Sequence, residues 1–473
     1  MLLNQALGLP IKQSEVDFVI PNLDEDLNLY IDPFLFYKSN NPEYQAVHAT
    51  IREFFSIAIA HVRDGKPDIA KRMLQFPEVN QTMLGLSTGS HRGRGLGDMR
   101  GGVIFQEIIS NPDIQKNGIK HLAEMQLLIE GVGFDMISDM CTNIAKPYLV
   151  RYTQLQAILH GIPLESGVAL THVFDWDEQD WDDIHTNLPV NPRNGNAMLF
   201  VPKAVVRLFT EIDYKDFWKT TYRYILRDIE SSRSLAVIGR EPKITWKEID
   251  EKYDFCKKTV VEVLHAQPDL KRQYLDQKEN ETLEIVMPLD LSLIEGTDRG
   301  ITPIEDLISE LQQIDPGNKD AKKYEQLIVR VLTRLFSPPL IDPHSQVTTS
   351  DGREIIDITF YNGANQGFWQ DVKSRYDSHI IVFELKNMTD LGNEEYFQIA
   401  ARLDTIRGMF GILIARDKDN LDVQRARRRL DKERKLILTL TDRDIVEMLQ
   451  GLESGLPATL YLNRMYRKFI EEA

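Results

Sequence analysis

The stretch I-I-V-F-E-L-K-N, residues 380–387, decides how the C-terminal part of this chain is read. Residues 380–383 are apolar, mostly β-branched or aromatic, and read as a strand buried in a sheet. Glu384 and Lys386 then interrupt it two positions apart. Side chains at i and i+2 of a strand leave the same face, so both charges leave the sheet together. Charge on a buried strand needs a partner, because desolvating it is costly. The pair is therefore either a buried ion pair or half of a metal-dependent hydrolytic site.

The order around this stretch is coherent from residue 321 onward. A-K-K-Y-E-Q-L-I-V-R-V-L-T-R-L-F has apolar residues at Tyr324, Leu327, Ile328, Val331, Leu332 and Leu335. That spacing predicts an amphipathic helix ending before Pro338 and Pro339. An Asp-Gly turn signal at 351–352 separates two strand-like runs, the second of which, E-I-I-D-I-T-F-Y, contains Asp357. A loop over 362–378 leads to the 380–387 strand. The helix N-E-E-Y-F-Q-I-A-A-R-L, the strand G-I-L-I-A, an arginine-rich helix, the strand K-L-I-L-T-L and the helix D-R-D-I-V-E-M-L follow. The order α-β-β-β-α-β-α-β-α predicts an α/β sheet domain.

Asp357, E-L-K at 384–386, Glu325 on the preceding helix and Gln398 on the following one resemble the PD-(D/E)xK nuclease superfamily, most closely its Mrr-like restriction-endonuclease branch. The resemblance covers roughly residues 321–450, and Ile356 stands where the family pattern has proline. It implies a restriction-endonuclease-like α/β fold, a mixed central sheet flanked by helices. It also implies Mg²⁺, or Mn²⁺, held by Asp357, Glu384 and the carbonyl of Leu385. Lys386 would orient or deprotonate the attacking water and contact the phosphate. Glu325 would hold a second metal or a metal-bound water. Gln398, with Arg402 one helical turn later, would position Lys386 or the DNA backbone. Such carboxylates suit Mg²⁺, which keeps several waters and lowers the pKa of one of them. Arg425, Arg428 and Arg429 on the arginine-rich helix read either as a phosphate-contacting surface or as a solvated face interleaved with Asp431 and Glu433.

The expected activity is metal-dependent endonucleolytic hydrolysis of DNA, with double-stranded DNA as partner. The expected setting is bacterial restriction or anti-phage defence, by a homodimer or other homo-oligomer. The rival reading is a catalytically silent or partner-activated nucleic-acid-binding subunit of a defence complex.

The first three hundred residues predict a mainly helical region for sensing or recognition, divisible near residue 200. A linker over 301–320 separates it from a nuclease domain over 321–473. Residues 43–63 have helical periodicity, and 118–160 look largely helical. Asp135, Ser138 and Asp139 share a helix face or cap its start, as a recognition surface or as plain polar contacts. The aspartates at 17, 24, 26 and 32 are candidate metal ligands, but the preferred reading sets Asp24 and Asp26 in a turn and Asp32 before Pro33 as a turn former. The glycine- and arginine-bearing run 85–102 matches neither the Walker A nor the G-x-G-x-x-G spacing and reads as a flexible loop. The acidic run D-W-D-E-Q-D-W-D-D, 175–183, lacks EF-hand spacing and reads as a solvated loop.

A charged fraction of 27% and an apolar fraction of 42% belong to an ordinary globular chain of two or three domains. The net charge of −16 argues against a surface coated for nucleic acid, which leaves room only for local basic patches. Two cysteines, Cys141 and Cys256, exclude a disulfide framework. No transmembrane run or secretory signal is recognisable, so a cytoplasmic location without membrane contact is expected.

Overall fold

Pro42 at the first helical position and Asn41 as its cap start the helix Pro42–Arg63, where Asn41 Oδ1 accepts from Glu43 N at 2.9 Å. Its buried stripe of Tyr44, Val47, Ile51, Phe54, Phe55 and Ala58 follows the predicted period. It packs on the helix Phe134–His160, which is buried on almost every side and runs through the N-terminal core. Gly161, at φ 68°, closes that helix in the left-handed conformation that glycine adopts without strain. The computed structural model describes the whole chain except residues 86–93, 239–243, 254, 282–289, 292–293, 299, 349–354, 390, 418–434 and 473.

The acidic run proves to be part of an antiparallel hairpin, Glu165–Asp175 with Asp180–Leu188. Its tryptophans decide the matter. Trp181 stacks on His172 at 4.1 Å between ring centroids, meets Phe54, Phe76 and Phe174, and donates from Nε1 to the Met73 carbonyl at 3.0 Å. Packing that partly buried ring holds the strand in place, while Asp182 and Asp183 beside it are exposed. Within the 85–102 run, residues 86–93 lie outside the described residues, and from Arg94 onward the chain is helical rather than a loop, as Arg94–Ser110. A Cβ on Gly101 would collide with the Leu74 carbonyl, so glycine lets that helix approach closely.

Asp32 caps the helix Pro33–Lys38 by accepting from Phe34 N at 3.0 Å, as a turn former should. Ser138 and Asp139 are buried; Ser138 accepts from Ile31 N and Asp139 from Val79 N. The plain polar reading of these two residues therefore describes the fold, and they form no surface.

In the C-terminal part, α1 (Ala321–Phe336) precedes β1 (Leu340–Thr348), β2 (Ile355–Asn362), α2 (Gly367–Tyr376) and β3 (Ile380–Lys386). Then come α3 (Asn393–Arg402), β4 (Phe410–Ala415), β5 (Leu436–Thr441), α4 (Asp442–Glu453) and α5 (Ala458–Glu472). The five strands lie in the order β1-β2-β3-β4-β5. The pairs β1–β2 and β2–β3 are antiparallel, whereas β3–β4 and β4–β5 are parallel. The segment read as a loop over 362–378 contains α2, whose Phe368, Trp369 and Val372 are buried at helical spacing.

One sheet face, with Ile358, Phe360, Ile381, Phe383, Ile412 and Ile414, packs on α1, α2, α4 and α5. The other, with Val382, Leu413 and Ile437, is covered by Tyr396 and Ile399 of α3 and by Leu403 just after it. The expected linker is no free connector. Helix Ile304–Gln313 inserts Ile304, Leu307 and Leu311 into the core of the sheet domain. Leu159 of the long N-terminal helix enters the same core, and Arg330 of α1 pairs with the buried Glu15 at 2.9 Å. The architecture is a mainly helical region joined to a mixed α/β sheet domain. Among the described residues no helix is long and apolar enough to cross a membrane.

Candidate functional site

Strand register brings the acidic residues together. Ile358–Phe383 is the last paired position of β2 and β3, and Asp357 and Glu384 are the next residues on each strand. Ser345 pairs with Ile358 and Val347 with Ile356, which sets Gln346 opposite Asp357. Glu384, two residues after Val382, emerges on the side covered by α3, while Asp357 adjoins Glu325 of α1 and the backbone of β3. Asp357 Oδ2 accepts from Leu385 N at 2.8 Å, closing the ladder where β2 and β3 part.

The buried Glu384 carboxylate faces two cations. Lys386 Nζ lies 2.9 Å from Oε1, and the Arg402 guanidinium contacts Oε2. Lys386 is in turn held by Gln398 Oε1 at 2.8 Å. Gln398 and Arg402 are four apart on α3 and so share a helix face. That face meets both charges of E-L-K: Gln398 takes the lysine and Arg402 the glutamate.

Glu325 reaches the cluster from α1, where Gln346 Nε2 donates to its carboxylate at 3.3 and 3.4 Å. Burial, together with the nearby Asp357 charge, holds the Glu325 carboxyl above the usual carboxylate range against the lowering effect of Gln346. Beyond the cluster, Asn387 Nδ2 donates to the carbonyls of Asp315 and Gly317, fastening the end of β3 to the segment before α1.

Of the residues expected in the site, Asp357, Glu384, Lys386 and Gln398 converge, and Glu325 adjoins Asp357. Leu385 contributes its backbone N–H to Asp357, and its side chain packs on the opposite core. Arg402, expected on the nucleic-acid backbone, is buried against Glu384. Arg425, Arg428 and Arg429 lie outside the described residues. Gln346 and Asn387 were not anticipated. The strand pattern around Gln346 is the only signal that could have raised it.

Among the described residues no group of three or more His, Cys, Asp and Glu side chains is placed to hold a metal ion. Asp357 and Glu384, carboxylates on adjacent strands, are the hard oxygen donors that Mg²⁺ accepts alongside water. In donor chemistry they fit, although Arg402 and Lys386 engage the Glu384 carboxylate.

Fold and cluster together define a mixed α/β domain that gathers acid, amine and guanidinium groups at one sheet end, carried by a helical region. Comparison with known proteins adds likeness rather than an assignment. The family described as a domain of unknown function, DUF8370, matches residues 8–213, within the helical region and ahead of the cluster. A protein of Escherichia coli (strain K12) named "Putative transposon gamma-delta 80.3 kDa protein" is 30% identical over 158 residues, 32% of this chain. The chain spans only 22% of that relative's length. No solved structure matches.

Proposed function

We propose that residues 321–473 form a restriction-endonuclease-like domain that hydrolyses phosphodiester bonds of duplex DNA with the help of Mg²⁺ or Mn²⁺. The observation carrying this reading is that Asp357 and Glu384 lie one step beyond the last paired position of adjacent strands, with Lys386 on the face of Glu384 and its amine held by Gln398. A bound metal would activate water and offset charge developing on the phosphate. Lys386, partly exposed at the cluster's rim, can contact a phosphate oxygen and orient a water beside it. Gln398 fixes that amine by accepting its hydrogen bond, and Glu325, with its raised pKa, can carry a proton. The similarity to a protein named for a transposon accords with a DNA-directed role.

The proposal extends to restriction or anti-phage defence, a cytoplasmic location and a homo-oligomeric enzyme, with residues 1–300 sensing target or partner. A second reading, a subunit silent until a partner or nucleic acid activates it, is favoured by the two cations on Glu384. Plasmid, linear duplex and RNA incubated with the full chain in Mg²⁺ or EDTA test both. Metal-dependent cleavage of duplex DNA that disappears in Glu384→Ala and Lys386→Ala is the expected result. Cleavage persisting in both variants removes the site assignment, and a silent wild type leaves the second reading.

A further inference from the structure

Glu384 and Arg402 form an ion pair with almost no access to water: their side chains are 1% and 4% exposed. Lys386, the other cation on the same carboxylate, is 20% exposed and already anchored by Gln398. A single buried carboxylate thus carries two positive neighbours, one more than its charge requires. A divalent cation entering beside it would meet like charge at short range in a poorly solvated place, where such repulsion is strong. The donor set suits the metal, and the arginine opposes it.

We infer that Arg402 is a guard on Glu384, keeping divalent metal off the site until a nucleic-acid phosphate gives the guanidinium another anion. The inference rests on the nuclease reading for the identity of the phosphate. Arginine suits this exchange because its planar fork pairs with carboxylate and phosphate alike, and it stays charged throughout. Its place on α3 matters as well. Gln398, one turn away, retains Lys386 when Arg402 departs, so the amine stays in the cluster while the carboxylate is released. Metal loading and nucleic-acid binding would then be one coupled event, with each raising the affinity for the other.

The test is Mn²⁺ binding to the full-length protein without nucleic acid, followed by electron paramagnetic resonance of the free ion. Arg402→Met should bind Mn²⁺ at least about tenfold more tightly than the wild type, because one unit of repelling charge has gone. Adding Glu384→Gln to Arg402→Met should abolish the gain. Arg402→Gln, whose amide can still donate to Glu384, replaces Arg402→Met if thermal melting shows the latter unfolded, and should gain in the same direction. A gain below about twofold in folded variants, or one that survives Glu384→Gln, overturns the guard. Plasmid cleavage separates the two ideas. A wild type that cleaves, beside variants that gain nothing, removes the guard and leaves the nuclease. A Glu384-dependent gain in a protein that cuts no DNA keeps the guard and removes the nuclease.

Discussion

Among the described residues two glutamates are fully buried beside arginine, and they sit in opposite circumstances. Glu15, in the helical region, takes Arg330 of α1 at 2.9 Å, with Arg334 3.9 Å away. Glu384, on the sheet, takes Arg402 and Lys386. The first pair is locked in a seam. Arg330 also binds Glu310 at 2.9 Å, and the same seam is stitched by Asn41 to Asp342 and by Gln156 to the Pro343 carbonyl. The second lies beside the partly exposed Lys386 and the exposed Gln398 at the sheet's end. The two pairs are equally buried and differ in balance: Arg330 answers two carboxylates, whereas Glu384 answers two cations and so holds one that an anionic ligand can take. Burial alone does not mark a functional carboxylate.

The largest expected effect breaks the tether. Arg330→Ala strands Glu15 without its closest cation in an apolar seam and should cost about 3–5 kcal/mol in urea unfolding. Replacing both partners, Glu15→Gln with Arg330→Met, should recover most of that loss, since apolar or neutral groups of similar volume remove the desolvation cost as well. A loss below about 1 kcal/mol in Arg330→Ala would mean that water reaches Glu15 and that the contrast with Glu384 is false.

The next effect is pH-dependent and uses a neighbour of the same seam. Burial holds the His160 pKa down to about 3, and the Arg330 and Lys203 charges push in the same direction. Neutral histidine is therefore favoured in the folded state, while the unfolded chain titrates near 6.5. This contribution is complete above pH 6.5 and is lost as pH falls toward 3, because protons then bind the unfolded chain preferentially. In denaturant titrations at pH 7.5 and 4.5, His160→Gln should lose less stability on acidification than the wild type, by roughly 2 kcal/mol. Equal losses would show that His160 ionises freely and that the seam is open to water.

Much of the sheet domain was legible because its signals are local. The period of α1, the apolar run of β3 and the charges at 384 and 386 lie within single elements, and register then follows from their alternation. What escaped was set by tertiary context. A charge-dotted segment such as G-F-W-Q-D-V-K-S-R-Y, residues 367–376, becomes a helix because Phe368, Trp369 and Val372 find a core. Arg402 is expected to face the site toward Lys386 or a DNA backbone, and nothing in its surroundings announces that Glu384 takes it instead. The seam is harder still, since Glu15 and Arg330 are far apart in the chain and neither has a local signature. The acidic hairpin was obscured by its own charge: five aspartates within 175–183 outweighed two tryptophans that need a surface to pack on.

That hairpin supplies the smallest and most discriminating prediction. Asp175 Oδ1 accepts from Asp177 N at 2.8 Å and Glu178 N at 3.0 Å, closing the turn between the strands. Asp177 and Glu178 themselves are exposed. Asp175→Ala should therefore cost about 0.5–1.5 kcal/mol through two unanswered turn amides, offset in part by water. Asp177→Ala should stay within about 0.5 kcal/mol of the wild type. Urea midpoints at one pH measure both. If Asp177→Ala stabilises as much as Asp175→Ala destabilises, then mutual repulsion among the acids governs this strand pair. A dense run of carboxylates would then be a functional liability held in place by its tryptophans. If the two variants separate as expected, charge density carries no information here. The difference between this run and the Glu384 cluster then comes down to burial against opposing cations.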